Sequence, residues 1–153
     1  MPVRFYRIGP EGAASAAAPL LEKALAAGLP VAVRCGPGLG VAEMDALLWT
    51  YDDAAFLPHG REDEPRAARQ PVLLVSGPGP AANGARALML VGGAAVGAEE
   101  FAAWERVWLI FDGEDAEAVE AARADWRRVR DSGVEAEFWA RQGGRWEKVA
   151  SSG

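Results

Sequence analysis

Arg106-Val107-Trp108-Leu109-Ile110-Phe111 is the stretch on which the fold turns. After the arginine every side chain is apolar, and such a run fits a strand covered on both faces. Asp112-Gly113-Glu114-Asp115 turns out of it into the longest helix, expected over about 114–132. That helix is acidic in its first turn and basic in its last, as the two helix poles favour, and Gly133 stops it. The N-terminal side repeats the unit. Val3 to Ile8 alternates as a strand, a helix follows over about 13–27, Val31 to Cys35 is a short apolar strand, and a helix runs over about 40–49. Pro19 inside the first helix argues for a start nearer that residue. Pro71 to Val75 and Ala87 to Val91 read as further strands, with a short helix around 98–103. Strands alternating with helices at this spacing predict a parallel α/β sheet. Val134 to Trp139 and Arg145 to Val149 flank Gly143-Gly144, the signature of a terminal hairpin.

The chain has 153 residues, half hydrophobic and a quarter charged. Residues 1–150 are expected to form a single domain, with 151–153 as a frayed tail. One cysteine excludes an internal disulfide framework and fits a reducing compartment. The first residues lack the order of a signal peptide, and no apolar run reaches the roughly 20 residues needed to span a bilayer. The expected address is the cytoplasm. A net charge of −6 argues against strong general binding to nucleic acid. The charge is uneven, however: residues 121–150 hold seven basic and five acidic side chains, +2, which leaves −8 for the remainder. Such a quarter is either a local site for an acidic partner or a solvated helix face.

Catalytic signals are weak. Gly36-Pro37-Gly38-Leu39-Gly40 lies between a strand and a helix, where phosphates bind in dinucleotide folds. The glycine spacing is wrong for that fingerprint, Pro37 removes an amide, and no acidic residue ends the following strand. The turn and His59 are the residues a small nucleotide-binding enzyme would use, and that is the alternative reading. His59 is the one side chain suited to acid–base work near neutral pH, with Asp52, Asp53 and Glu62 nearby in sequence to orient it. No nucleophile accompanies it, so a histidine that pins its loop is favoured. No cofactor and no metal are expected.

Two constellations point to binding. Trp49, Tyr51 and Phe56, followed by Pro58 and His59, gather aromatics into a segment that ought to be polar. They either plug the sheet edge or dock a partner. On the long helix, Val119, Ala122, Trp126, Val129 and Gly133 form one apolar stripe. Arg123, Arg127 and Arg130 run beside it at i, i+4 and i+7. An indole beside arginines suits a ligand with an apolar end group and a carboxylate, such as a peptide with a hydrophobic C-terminal residue.

Asp45-Ala46-Leu47-Leu48-Trp49 followed by Phe56-Leu57-Pro58-His59, with Cys35 before and Ala122-Arg123-Ala124-Asp125-Trp126-Arg127 after, resembles the chi subunit of bacterial DNA polymerase III. The order of elements is similar over nearly the whole chain. The family would have an apolar residue where Asp112 stands. The resemblance implies a single-domain Rossmann-like three-layer α/β sandwich, with a largely parallel sheet flanked by helices and a C-terminal hairpin. It implies a non-catalytic accessory subunit of the clamp-loader assembly. Such a subunit binds the acidic, Phe-terminated tail of single-stranded-DNA-binding protein and touches DNA only indirectly. Carried over by position, Arg123, Trp126 and Arg127 would meet the tail, with Arg130 added from spacing. Trp49, Tyr51, Phe56, Pro58 and His59 would face the psi subunit or another clamp-loader component.

Overall fold

A computed structural model of the chain describes residues 2–51, 56–142 and 145–152. The strands are β1 (Val3–Ile8), β2 (Val31–Cys35), β3 (Gly60–Arg61), β4 (Val72–Val75), β5 (Ala87–Val91), β6 (Arg106–Asp112), β7 (Ala136–Gln142) and β8 (Arg145–Ser151). The helices are α1 (Ala13–Ala26), α2 (Val41–Thr50) and α3 (Ala116–Asp131). The strands make one sheet in the order β3-β4-β2-β5-β6-β1-β7-β8. Every neighbouring pair is parallel except the last, where β7 and β8 run antiparallel. This is the mixed α/β sheet with a closing hairpin that the strand–helix alternation predicts. Gly143 and Gly144, expected as its turn, lie outside the described residues.

Alternation along the strands divides the core into two layers. Tyr6, Ile8, Val33, Met89, Trp108 and Ile110 face α1 and α2, where Leu21, Met44 and Leu48 pack on them. Val3, Phe5, Leu88, Val107, Leu109 and Phe111 face the other way, toward Ala122 and Val129 of α3 and the ring of Phe101. β6 is buried from Val107 to Phe111, which is why it reads as an unbroken apolar run.

Four details depart from the sequence reading. α1 starts at Ala13 and passes through Pro19, which is exposed, so the carbonyl its ring leaves without a donor can turn to water. The helix expected around 98–103 is a single 3-10 turn, Ala98–Glu100, whose Glu100 carboxylate accepts the Gly97 N–H at 2.9 Å. β3 is two residues long, too short for any periodicity to reveal. The end of the chain is paired rather than frayed. Ser151 lies opposite Glu137, and the Ser152 N–H donates to the Ala136 carbonyl at 2.8 Å. The Ser152 hydroxyl in turn accepts from the Ala136 N–H at 2.8 Å. Gly153 lies outside the described residues.

Gly36 shows why the turn after β2 needs a glycine. A Cβ there would sit 2.4 Å from the Ala94 nitrogen and 2.5 Å from the Gly92 oxygen, both backbone atoms that cannot swing away. Gly36→Ala is therefore expected to lower stability by about 1–3 kcal/mol. The measurement is the shift of the urea unfolding midpoint, and an unshifted midpoint would mean that the two turns do not pack this closely.

Candidate functional site: an apolar hollow with a cationic rim

A hollow of about 420 Å³ opens between α3 and the strands β1, β6 and β7. Its size falls within the range of ligand sites, roughly 300–1,000 Å³. Phe5, Phe111 and Phe138 rise from three neighbouring strands to line the sheet side. Val119, Ala122 and Trp126 supply the helix side, on the apolar stripe that helical spacing predicts. Trp126 is half-buried and meets Phe5 edge-on, with ring centroids 5.3 Å apart. The indole thus both closes the core and walls the hollow. Asp112, expected where an apolar residue would help, does not intrude. Phe111 lines the hollow, while the Asp112 carboxylate accepts the Glu114 N–H at 2.9 Å in the turn after β6.

Charge sits on the rim. Arg123 and Arg127 border the hollow. Arg123 is 69% exposed and only 3.8 Å from an equally exposed Glu120, a pair worth little in water. Arg127 is exposed and makes no ion pair or hydrogen bond to any described residue. Arg7 completes the rim, its guanidinium donating to the Gly113 carbonyl at 3.2 Å. The sequence reading missed Arg7, although the signal was present: on an alternating strand, residue 7 shares a face with Phe5. Arg130 does not join the group. It lies next to Asp131, 3.4 Å away, and outside the hollow. Seven residues bring the chain back to nearly the same side of a helix as Arg123, but Arg130 lies beyond Arg127, where the helix lining of the hollow ends. Asp125 does not compete for the rim arginines. Its carboxylate pairs with Arg128 at 2.7 Å, and burial raises its pKa against the pull of that arginine.

The aromatic segment after α2 has a different character. Trp49 is 52% and Phe56 72% exposed, with ring centroids 6.0 Å apart, and Leu47 beside them is also exposed. Tyr51 is half-buried and donates to Glu22 at 2.8 Å, so it ties α2 to α1 rather than adding to the exposed surface. Pro58 is half-buried. His59 is buried beneath Trp49, whose ring centroid is 4.4 Å away. Nδ1 lies 2.7 Å from the Leu57 carbonyl, which can only accept, so Nδ1 carries a proton. Nε2 lies 3.1 Å from an Asp45 carboxylate oxygen, within ion-pair distance though off the line of a hydrogen bond. Among the described residues, Asp45 on α2 is the acid that faces the ring. Asp52 and Asp53, expected in that role, lie outside the described residues. Glu62 is engaged elsewhere, accepting from the amide and hydroxyl of Ser76. His59 pins its segment to α2.

The glycine turn after β2 is built as a joint. The Gly36 N–H donates to Val91, Gly38 to Gly92 and Leu39 to Gly36, so three amides of the turn are taken up by the protein's own carbonyls. Cys35 is buried, and burial first, with the Glu62 charge second, pushes its thiol up to about 12. It is inert as a nucleophile near neutral pH. Beside this turn Arg34, 2% exposed, forms a two-toothed pair with Glu100 at 2.8 and 3.2 Å. It also reaches the carbonyls of Ala95 and Gly79. Among the described residues no cluster of three or more His, Cys, Asp or Glu is placed to hold a metal. None of their helices is long and apolar enough to cross a membrane.

Fold and site together define an α/β protein of the Rossmann-like kind, whose glycine turn serves packing and whose apolar hollow carries a cationic rim. A comparison with family models finds a match over residues 1–137 to the family described as DNA polymerase III chi subunit, HolC. The chain belongs to that family, an accessory subunit of the replicative polymerase that associates with other polymerase III subunits. A comparison with curated protein sequences finds no match.

Proposed function

We propose that the hollow beside α3 takes the acidic, Phe-ended C-terminal tail of single-stranded-DNA-binding protein, and that this chain links that protein to the clamp loader. The observation that carries the reading is the pairing of an apolar hollow with a rim of Arg7, Arg123 and Arg127, which have little internal use for their charge. A terminal phenyl ring would enter between Trp126, Phe5 and Phe138, and burying it is worth about 1.5–3 kcal/mol. The C-terminal carboxylate and neighbouring acidic side chains would meet the guanidinium groups outside. The role is binding without catalysis.

Calorimetric titration with a tail peptide tests this. Removing the peptide's final Phe is expected to cut affinity at least tenfold, as loss of about 1.4 kcal/mol requires. Equal binding by the two peptides would mean that the hollow is not the ring's site.

The exposed Leu47, Trp49 and Phe56 form the second contact in this proposal, toward psi or another clamp-loader component, with Tyr51, Pro58 and His59 holding the segment in place. Phe56→Ala is expected to leave the thermal melt nearly unchanged, since a ring 72% exposed contributes little to the core. The same change is expected to abolish co-purification with clamp-loader subunits. Retained co-purification would assign the contact to another surface.

A further inference from the structure

A second charged groove lies on the opposite face of the sheet, between the end of α1 and the β7–β8 hairpin, with a volume of about 680 Å³. Five cations border it: Arg4, Lys23, Arg86, Arg106 and Arg145. Glu105 is the single carboxylate among its described lining residues, so the local charge is +4 on a chain whose total is −6. The cations come from the starts of β1, β6 and β8, the residue before β5, and the last turn of α1. No window of sequence therefore shows them together.

Most of this charge is left unused. Lys23, Arg106 and Arg145 are exposed and make no ion pair or hydrogen bond to any described residue. Arg86 and Glu105 are 3.5 Å apart and both more than half exposed, a weak pair. Arg4 is the more firmly engaged, with Glu137 at 3.2 Å and over the Trp139 ring at 5.4 Å. Trp139 and Trp146, both half-buried, flank the cations. Trp146 is held edge-on by Tyr6 at 4.8 Å and covered by Arg141 at 5.0 Å, and its indole N–H is buried without a partner.

We infer that this groove binds single-stranded nucleic acid directly. Cations spread along both walls match a chain of regularly spaced phosphates, and tryptophans between them match bases that can stack. A duplex hides its bases inside its own stack and would gain nothing from the indoles. An acidic peptide with an apolar end is better met by the α3 hollow, which concentrates its charge at one rim. The groove shares no lining residue with that hollow, so the inference stands apart from the proposed tail binding.

The test is fluorescence anisotropy of a labelled oligothymidylate, about 15 nucleotides long, titrated with the full chain over a range of salt concentrations. Binding is expected at low salt, weakening on a log–log slope of about −2 to −3.5 for three to five phosphate contacts. Arg106→Ala combined with Arg145→Ala should weaken binding at least tenfold and make the slope shallower by about 1.4. Arg123→Ala should leave it unchanged. If the double variant shifts the thermal melt, Lys23→Ala on the other wall gives the same reading at about half the change in slope. No binding at low salt, binding indifferent to the groove variants, or polyglutamate bound as tightly as the oligonucleotide would each overturn the inference.

Discussion

Replacing Arg123 and Arg127 together by alanine is expected to weaken binding of the tail peptide about 100-fold and leave the fold intact. Each charge-assisted hydrogen bond is worth about 1.5–3 kcal/mol, so loss of two removes at least about 3 kcal/mol, and every 1.4 kcal/mol is tenfold. The fold should not notice. Arg123 is 69% exposed and Arg127 has no partner among the described residues, so neither supports the core. The residual binding should come from the phenyl ring in the hollow and from Arg7. It should also lose most of its salt dependence, since the screened part of the attraction is gone. Arg130→Ala is the internal control: outside the hollow and beside Asp131, it should change affinity by less than twofold. Calorimetry at two salt concentrations measures all of this. Equal losses from Arg130→Ala and Arg123→Ala would make the attraction a general property of the helix surface rather than of the hollow.

Removing the carboxylate of Glu100 is expected to produce the largest loss of stability, about 3–5 kcal/mol. Glu100→Ala leaves the guanidinium of Arg34, 2% exposed, with two carbonyls and no countercharge. Most small domains have only about 5–15 kcal/mol in total, so the variant should be close to unfolding. Replacing Arg34 by Met and Glu100 by Leu together should cost far less than the sum of the single changes, because no charge is then stranded. Urea unfolding of the four proteins measures the coupling, and additive losses would show that the pair does not act as a unit.

The same pair sets an acid limb to stability. Hydrogen bonds from Arg34 first, with help from the Gly97 and Gly79 amides, hold the Glu100 pKa at about 2 against burial, below its ordinary 4.5. A carboxylate lowered on folding contributes its stability in full above the unfolded value and loses it as pH falls through the folded one. The contribution should therefore fade between about pH 4.5 and pH 2. Glu100→Gln should flatten that part of the profile. An unchanged slope in the variant would place the acid sensitivity elsewhere.

The strands and long helices were legible in the chain because burial imposes a period that side chains cannot hide. Val107 to Phe111 had to be covered on both faces, and Val119, Ala122 and Trp126 had to share a side of α3. The helix wall of the hollow followed from that stripe. What the linear order could not supply was position along an axis and across the sheet. Arg130 has nearly the angle of Arg123 on α3 but lies past Arg127, the last helix residue to line the hollow, whereas Arg7 reaches it from a strand more than a hundred residues away. Asp45, fourteen residues before it, faces His59, while Glu62, only three away, binds Ser76 instead. The groove of five cations exists only where β1, β5, β6, β8 and α1 come together. Periodicity is a property of neighbours in sequence and can be read there; convergence of distant side chains depends on which strands pair, and only the folded sheet decides that.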